Sequence, residues 1–588
     1  MSTSTFSTIC DTGSCYQIVR SACSTKNAGS FTGSAYYSSI LGGPLSTSGT
    51  HCIAASYSSI INGCNNTIKS SDSFIGSGSG HYIDVSSNNS FIGGGDYNSI
   101  FNTAHHGFIG GGSNNCILPG LFNTIAGGYN NVITDTHYSF IGGGYQNCAQ
   151  NLSVVAGGCY NQATDTVSFV GGGWKNSATC IGSAIVGGIQ NTANGKLSFI
   201  GGGGQNRATA FGAVIVGGGC NISSGLASFI GAGSCNSACA NFSFIGTGGG
   251  YYSSAFLPGN MINSGADYSA IVSGKNNIIS CQFGFIGGGT GNETCSIYSF
   301  IGNGKLNNIG TIANFPGCFN FIGGGYDNII CGGSCGNFIG GGQNNKIDCK
   351  EAGSIIGGGS NNHIDHDGIG NFIGGGTNNH IHISVLKSVI GGGYENDLYG
   401  NSSVIGGGHN NYSGTGDFNA IAGGSSNYIY SGATHGFIGS GAQNKIGDPG
   451  GLGTNTSLFG VIGGGHCNRI DATGTNSSYG VIGGGYNNLV SAGTAHSSIF
   501  SGKNNTVSGS YSSILGGCGN SDGGLNYAGV FGCNVVAVGS CFFHANNFVA
   551  QNIAVAASYP AYILLPAGAM YTCVATPAGW LGNPVFIK

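Results

Sequence analysis

Of the 588 residues, 119 are glycine, against an ordinary share of about 7%, and only 6% are Asp, Glu, Lys or Arg, against about 25% in ordinary domains. The scarcity of charged side chains excludes an ordinary enzyme domain, the 9 prolines without a Gly-X-Y period exclude collagen, and the hydrophobic content of 40% excludes a disordered chain. A formal net charge of −4 offers no basic surface to phosphates, so neither nucleic acid nor an anionic membrane is an expected partner.

Residues 1–35 lack the pattern that fills the rest of the chain, and we expect them to form an N-terminal cap or attachment segment. They contain no basic region followed by an apolar core, so we expect synthesis without a signal peptide. No apolar run in the chain reaches the roughly 18 residues of a membrane-spanning helix, and we expect no membrane insertion.

Residues 36–535 consist of copies of one unit, Ser-Phe-Ile-Gly-Gly-Gly-Tyr-Asn-Asn-x-Ile. With the apolar residue before the glycines as position 0, there are about 30 copies, mostly about 14 to 17 residues apart. The β-branched and aromatic residues are typical of short strands, and the glycines and asparagines of turns. The unit therefore predicts an all-β fold, a parallel β-solenoid or β-roll with one copy per coil. Position 0 is occupied by residues such as Ile40, Ile60, Ile75, Ile92, Ile109, Ile125, Ile141, Ile499, Ile514 and Val530.

Two positions of the unit are nearly constant. Position +3 is glycine, which predicts a positive φ or a backbone approach too close for a Cβ atom. Position +6 is asparagine, and asparagines stacked about 4.8 Å apart along the axis predict a ladder of side-chain amides. The alternative is that these asparagines only shape the turn. They include Asn66, Asn147, Asn206, Asn345 and Asn488.

Position +8 changes with the length of the coil. Where successive copies lie about 14 or 15 residues apart it is mostly alanine, and where they lie about 16 or 17 apart it is usually isoleucine or valine. A longer coil encloses more volume, which larger side chains must fill, so position +8 is predicted to point into the core. The alanines are Ala149, Ala163, Ala178, Ala193, Ala208 and Ala238; the larger residues include Ile100, Ile117, Ile133, Ile347, Ile364, Ile381, Ile446 and Val507.

The repeat resembles the head repeats of YadA-like trimeric autotransporter adhesins and similar repeats in phage and virus tail-fibre proteins. The resemblance is strongest in residues 139–245, for example SFIGGGYQNCAQNLSVVAGGCYNQATDTVSFVGGG, and extends over residues 36–535. It implies a left-handed parallel β-roll, three chains side by side and an adhesive or receptor-binding role. The signal peptide, heptad stalk and membrane barrel of an intact autotransporter are not readable here, which favours a virion fibre.

The composition also favours a homotrimer. A single narrow roll with so few charges would expose long apolar strips and open ends, and both promote association. Three rolls that bury one face against each other remove this exposure. The alternatives are a monomeric solenoid and an open filament.

Long spacings at residues 246–270, 302–321, 439–461 and 463–481 predict insertions, which in repeat folds usually emerge as loops on one face. Beyond about residue 536 glycine becomes scarce and prolines cluster. Residues 536–588 are therefore predicted to form a small β-rich C-terminal tip that registers the trimer, binds a receptor, or does both. Its aromatic residues are predicted mainly to form its core.

Sites for catalysis or phosphate binding are not expected. Lys275 and Lys503 follow glycines, but no Gly-Lys-Ser/Thr motif is present. A glycan-cleaving spike would use paired carboxylates, and Asp365 with Asp367 is the densest such pair. Aromatic residues at position +4 are either sugar-stacking rings or exposed turn residues that flank an interface, and the second interpretation is favoured. They are Tyr129, Tyr145, Trp174, Tyr326, Tyr394 and Tyr486.

One metal hypothesis concerns four histidines. His363 and His380 occupy position +7 of successive coils, with His366 and His382 close behind. Residues two apart in a strand share a face, so His380 and His382 point together. Three such pairs around a three-fold axis would bind one structural transition-metal ion, as the resemblance to phage fibres implies. The alternative is a set of polar residues on a solvated face.

The 23 cysteines are odd in number and scattered without C-x-x-C pairs, which disfavours a closed intrachain disulfide framework and a zinc ribbon. We expect buried free thiols packed as small apolar residues. Interchain disulfides are the alternative.

The sequence as a whole predicts a structural fibre that is not an enzyme, most simply a virus or phage fibre on the virion surface. Its partners would be copies of itself, a virion or other fibre component through the N-terminal segment, and a host glycan or protein receptor. A cellular adhesin or extracellular filament is the alternative, and a trimeric glycan-depolymerising tailspike is the less favoured one.

Overall fold

The structure is a computed structural model that describes residues 10–11, 14–15, 30–31, 38–41, 51–134, 136–250, 259–310, 317–447, 458–471, 478–545, 562–564 and 570–572. Within these residues the chain is all-β, and no helix that could span a membrane is found among them. It separates into two compact units, Met1–Gly291 and Asn292–Lys588, where the sequence predicts one repeat domain. The units together contain a parallel β-solenoid of about 29 turns, which confirms the predicted fold class.

Each coil contributes one short strand to each of two parallel sheets. We call the sheet that contains position 0 the first sheet and the sheet that contains position +8 the second sheet. In the first unit, the first sheet consists of Ser39–Ile40, Ser59–Ile60, Phe74–Ile75, Phe91–Ile92, Phe108–Ile109, Thr124–Ile125, Phe140–Ile141, Val154–Val155, Phe169–Val170, Ala184–Ile185, Phe199–Ile200, Val214–Ile215, Phe229–Ile230, Phe244–Ile245, Ala270–Ile271 and Phe285–Ile286.

The second sheet of the first unit begins inside the segment predicted as a cap, because Ser30–Phe31 already pairs with Cys52–Ile53. It consists of Ser30–Phe31, Cys52–Ile53, Thr67–Ile68, Tyr82–Ile83, Ser99–Ile100, Cys116–Ile117, Val132–Ile133, Cys148–Ala149, Gln162–Ala163, Ser177–Ala178, Thr192–Ala193, Arg207–Ala208, Ile222–Ser223, Ser237–Ala238, Met261–Ile262 and Ile278–Ile279. A third parallel sheet contains Ala104–His105, Gly120–Leu121 and Thr136–His137, and Cys10–Asp11 pairs antiparallel with Ser14–Cys15.

The second unit repeats this arrangement. Its first sheet contains Phe300–Ile301, Phe321–Ile322, Phe338–Ile339, Ile355–Ile356, Phe372–Ile373, Val389–Ile390, Val404–Ile405, Ala420–Ile421, Phe437–Ile438, Leu458–Ile462, Ser478–Ile482, Ser497–Ile499, Ser513–Cys518, Gly529–Cys533 and Phe543–Ala545. Its second sheet contains Glu293–Thr294, Asn308–Ile309, Ile329–Ile330, Lys346–Ile347, His363–Ile364, His380–Ile381, Asp397–Leu398, Tyr412–Ser413, Tyr428–Ile429, Lys445–Ile446, Arg469–Ile470, Leu489–Val490 and Thr506–Val507. Tyr562–Leu564 and Met570–Thr572 form an antiparallel pair.

The core of each unit is formed by positions 0 and +8. Ile200 at position 0 and Ala208 at position +8 of the same coil are fully buried, and so are the corresponding residues of the neighbouring coils. In the longer coils Ile347 and Ile364 take the place of the alanine and are also fully buried. The prediction that position +8 fills the core is therefore confirmed.

The asparagines at position +6 form the predicted ladder. The backbone N–H of Asn206 donates to Oδ1 of Asn191 at 3.0 Å, and Oδ1 of Asn206 accepts the backbone N–H of Asn221 at 3.0 Å. Nδ2 of Asn206 donates to the carbonyls of Gly202 and Gly218, each at 2.9 Å. The buried side-chain amide of Asn206 thus satisfies backbone groups of its own coil and of the next coil, which turn chemistry alone would not require.

Glycine at position +3 satisfies both predicted requirements at once. Gly203 has a φ of +88°, and a Cβ atom there would clash with the carbonyl oxygen of Gly218 in the next coil. By contrast, a Cβ on Gly202, one residue earlier, would have no heavy atom within 4 Å. The glycine run therefore contains one position that demands glycine and another that tolerates a side chain.

Several predicted segments lie largely outside the described residues. The centres of the four predicted insertions, residues 251–258, 311–316, 448–457 and 472–477, are among the residues not described. Of the predicted cap only three two-residue strands are described. Of the predicted tip, residues 536–545, 562–564 and 570–572 are described, and Phe543–Ala545 continues the first sheet by pairing with Gly529–Cys533.

Candidate functional site

Four successive coils of the second unit carry a concentration of ionisable side chains on the outer face of the second sheet. In each coil the middle residue of a three-residue run is buried, so the residues on either side of it point outward, as the period of two in a strand requires. The four runs stack in register through His363↔His380 and the neighbouring strand pairs. They are Lys346-Ile347-Asp348, His363-Ile364-Asp365, His380-Ile381-His382 and Asp397-Leu398-Tyr399.

We call His363, Asp365, His380, His382 and Asp397 the His–Asp cluster. Oδ1 of Asp365 lies 3.2 Å from Nε2 of His363 and 3.0 Å from Nε2 of His380. The rings of His363 and His380 stack with centroids 4.7 Å apart. These three residues form one group of possible metal ligands whose ligand atoms lie within 4.8 Å of one another.

A second group shares His380 with the first. Nε2 of His382 lies 3.2 Å from Oδ1 of Asp397, whereas Nδ1 of His380 lies 4.0 Å from the same oxygen. The ring of His382 also stacks on Tyr399, with centroids 3.6 Å apart. The second group is therefore looser than the first.

Charge and burial shape the electrostatics of this face. Burial raises the pKa of Asp348, but hydrogen bonds with His363 and Lys346 outweigh it and hold the pKa at about 2. Burial lowers the pKa of His380, although the carboxylate of Asp365 opposes the shift. Near neutral pH Asp348 is therefore ionised, and the imidazole of His380 at the centre of this face is neutral.

The structure brings three of the four predicted histidines together within one chain. His363, His380 and His382 belong to the His–Asp cluster, while His366 lies apart from it, with Nδ1 2.8 Å from Oδ2 of Asp367. Asp367 also pairs with Lys350 at 3.5 Å. Asp365 and Asp367 thus have different ion-pair partners.

The carboxylate partners of these histidines, Asp365 and Asp397, are not among the metal ligands that the sequence predicts. A signal was present, because Asp365 and His382 both occupy position +9 of their coils, and Asp397 occupies the same position +7 as His363 and His380. Residues at the same coil position form one column, and the column at +9 lies beside the column at +7 on the same face. The imidazole and carboxylate donors suit a borderline transition metal.

A second candidate surface runs along the outer face of the first sheet, at position −1. We call these residues the apolar column. From Ser39 to Gly529 the position holds only Phe, Val, Ile, Ala, Ser, Thr and Gly. Phe108, Phe199 and Phe244 of the first unit keep 36–40% of their surface exposed. The column is thus solvent-facing in one chain, although it contains no charged or amide side chain.

Other outward columns contain charged residues. Position +4 carries Asp96, Lys275 and Lys503 in addition to tyrosines, and position +7 carries Arg207 and Lys445. If exposure to water were the only constraint, position −1 would contain charged residues too. The absence of charged residues at position −1 therefore distinguishes the apolar column from positions +4 and +7.

A column of aromatic rings, which the sequence analysis missed, lies at position −3 of the second unit. Consecutive rings stack nearly parallel, with centroid distances of 4.6–5.2 Å. Because each ring face is turned toward the next coil, only ring edges face outward, and no interior ring can stack on a sugar. The column therefore joins coils. It contains Phe418, His435, Phe459, Tyr479, His496, Tyr511 and Tyr527.

The aromatic residues predicted at position +4 behave similarly. Tyr129 and Tyr145 stack on each other with centroids 5.4 Å apart. Nζ of Lys175 lies 4.4 Å from the ring centroid of Trp174, so it covers that ring. These contacts favour the interpretation as exposed turn residues over sugar-stacking rings.

The expectation of buried thiols is wrong for the described cysteines. Cys318–Cys335 and Cys331–Cys349 are disulfides that join successive coils within the chain. The free described cysteines are half-buried or exposed. The physical reason is their coil position: Cys116, for example, precedes the inward Ile117 in its strand and therefore points outward.

Glu351 is a buried carboxyl group of the second unit that is expected to make local stability depend on pH. It is buried, and burial raises its pKa, although hydrogen bonds from Ser354 and Gly368 oppose the shift. Since the folded pKa exceeds the unfolded one, its contribution to stability is greatest below the unfolded pKa and declines as pH rises through the folded pKa. We expect amide exchange in residues 351–371 to accelerate over that range, beyond the intrinsic pH effect.

The control for this prediction is internal to the chain. Glu351→Gln is expected to remove the excess pH dependence, because the side chain no longer ionises, whereas Glu395→Gln at an exposed position leaves it intact. Hydrogen exchange read by mass spectrometry measures both. A wild-type profile that Glu351→Gln leaves unchanged contradicts the prediction.

Comparison with known proteins adds no family assignment. No protein-family model matches the chain, and no curated protein matches it significantly.

Proposed function

We propose that the chain is a structural fibre protein whose copies associate through the apolar column. The observation that carries the proposal is the composition of that column, which faces solvent in one chain yet contains no charged or amide residue from Ser39 to Gly529. A surface restricted in this way is typical of an interface. The occupant that fits it is a second copy of the same chain, whose own column has the same length and spacing.

The size of the column supports this occupant. The first unit places nine phenylalanines in the column. An aromatic side chain offers about 150–250 Å², so at the observed exposure these rings present about 600 Å² of apolar surface. That reaches the upper end of the largest apolar patch on a typical monomer, about 300–600 Å², and approaches the roughly 800 Å² per partner of a standard interface. The residues of the second unit at position −1 add to this surface.

Three copies around an axis parallel to the stacking direction of the coils would bring their apolar columns together. Cyclic symmetry keeps equivalent ends of all chains together, as a fibre attached at one end requires. It also lets each column bury against its neighbours without leaving an open edge for further growth. The resemblance to trimeric adhesin head repeats supports three as the number of copies.

In this proposal the fibre belongs to a virus or phage and extends from the virion to the host surface. The N-terminal segment contacts the virion or another fibre component, and the C-terminal residues contact a host glycan or protein receptor. The stacked asparagine ladder and the fully buried core suit mechanical reach, because in the described part of the chain backbone hydrogen bonds join successive coils at both sheets and at the turns.

Substitution within one coil tests the interface. Phe321 stacks between Phe300 and Phe338 in the apolar column, and we expect Phe321→Lys to shift the protein from three chains to one by burying an unpaired charge at the interface. Tyr326→Lys in the same coil is the matched control, since other coils carry lysine at position +4. Sedimentation equilibrium measures both variants. Equal masses for the two variants contradict the proposal.

Microscopy of the source tests the biological role. Antibodies against the purified chain are expected to label short projections on virions. Labelling of cell-surface hairs or long extracellular filaments would instead support the alternative of a cellular adhesin or filament and overturn the assignment to a virion.

A further inference from the structure

The His–Asp cluster supports an inference that goes beyond the fibre function and does not depend on it, because every residue involved lies in one chain. We propose that His363, Asp365 and His380 bind one divalent transition-metal ion of the zinc class. The ion would join two successive coils, since His363 and Asp365 belong to one coil and His380 to the next.

The first argument is distance. Two ligand atoms bound to a zinc ion at about 2.0–2.1 Å lie about 2.9–3.4 Å apart at octahedral to tetrahedral angles. Oδ1 of Asp365 lies 3.2 Å from Nε2 of His363 and 3.0 Å from Nε2 of His380. Both separations fall inside that interval. The two imidazole rings stack with centroids 4.7 Å apart, so the rings must tilt toward each other before all three side chains share an ion.

The second argument concerns Nε2 of His380. This atom is buried, and no hydrogen bond of normal geometry reaches it, although Oδ1 of Asp365 lies 3.0 Å away. A buried polar atom without a hydrogen bond is costly, because it has lost its bonds to water and gained none in the fold. A metal ion bound to both atoms would satisfy the nitrogen without needing the alignment of a hydrogen bond.

The third argument is charge. Asp365 and Asp397 belong to the cluster, and Asp348 lies beside it, bonded to Lys346 at 2.7 Å. That ion pair leaves Asp348 with a partner when His363 turns toward a metal. Asp365 and Asp397 are then the two charges that remain unmatched by lysine or arginine on this face, and a divalent cation neutralises them.

Ligand type selects the class of ion. Calcium takes six to eight oxygen ligands and magnesium prefers oxygen and water, whereas imidazole nitrogen suits zinc, copper, nickel and iron. Two imidazoles and one carboxylate therefore favour zinc over calcium or magnesium. Three protein ligands leave a further position for water or for His382, whose Nδ1 lies 3.8 Å from Oδ2 of Asp365.

Titration of the full-length, chelator-treated protein with zinc chloride tests the proposal. Calorimetry is expected to show one strong site per chain, which magnesium chloride does not occupy at equal concentration. His380→Ala is expected to weaken zinc binding at least about tenfold, because it removes a ligand. Asp365→Asn preserves side-chain size and is also expected to weaken zinc binding at least about tenfold. It replaces His380→Ala as the test if His380→Ala disturbs folding.

His366→Ala is the matched control, because His366 lies in the same segment but outside the cluster. It is expected to leave zinc affinity unchanged. A second readout is structural: zinc is expected to slow amide exchange in residues 363–382 of the wild type but not of Asp365→Asn. Absence of strong zinc binding, binding that survives both ligand substitutions, or equal loss in His366→Ala overturns the proposal.

Discussion

Gly203→Ala is expected to destabilise its coil and the two adjacent ones by more than about 4 kcal/mol, because two penalties coincide there. Gly203 has a φ of +88°, where an L-residue is strained, and the added Cβ would overlap the carbonyl oxygen of Gly218. That oxygen belongs to the backbone of the next coil and cannot move aside without breaking the ladder of hydrogen bonds.

Two neighbouring glycines separate these penalties. Gly212 has a φ of +64°, and a Cβ atom there would make only ordinary van der Waals contacts. We therefore expect Gly212→Ala to lower stability by about 1 kcal/mol through backbone strain alone. Gly202→Ala has neither problem and is expected to be neutral or slightly stabilising, since it reduces the entropy of the unfolded chain. Local hydrogen exchange of the three variants measures the order. Equal losses at Gly202 and Gly203 would show that the close contact between coils is absent.

Asn345→Ala is expected to destabilise the second unit locally by about 3–6 kcal/mol, because it leaves several buried polar groups without partners. The side chain of Asn345 accepts the backbone N–H of Asn362 at 3.1 Å. It also donates to the carbonyls of Gly341 at 2.9 Å and Gly359 at 3.0 Å. A methyl group can replace none of these bonds.

The adjacent Asn344 is a control of the same residue type. It is exposed with a φ of 54°, and Asn344→Ala is expected to cost about 1 kcal/mol through the loss of a residue that tolerates this conformation. Hydrogen exchange in residues 328–362 measures both variants. If the two substitutions have equal effects, the asparagines at position +6 act only as turn residues.

The fold was largely predictable because the repeat determines it. Once Ile200 and Ala208 are seen at fixed positions of a short unit, a closed coil with both residues inside is the arrangement that buries them. The same logic identified the asparagine ladder, since a buried amide repeated in every coil must meet its own copy in the next.

Side-chain groupings were less predictable, because they depend on the outward columns and on where each strand ends. His366 follows His363 by three residues, but the second-sheet strand ends at Ile364 and the chain turns, so His366 leaves the face that His363 occupies. The outward thiols were missed for a related reason. The prediction of buried thiols rests on the usual burial of cysteine, whereas Cys116 points outward because it precedes the inward Ile117 in its strand.

The apolar column is defined by many coils together, and no single coil displays its restricted composition. Phenylalanine next to an isoleucine suggests a buried strand, and the structure shows instead that Phe321 and its equivalents face outward in a single chain. The restricted set of residue types at position −1 supports association between chains. The sequence of one coil does not contain this information.

The mass of the full-length protein in solution tests association through the apolar column most directly. Sedimentation equilibrium at micromolar concentration is expected to give about three times the 58.6 kDa of one chain. If the folded protein has the mass of one chain at every concentration measured, the chains do not associate through the apolar column and the proposal is contradicted.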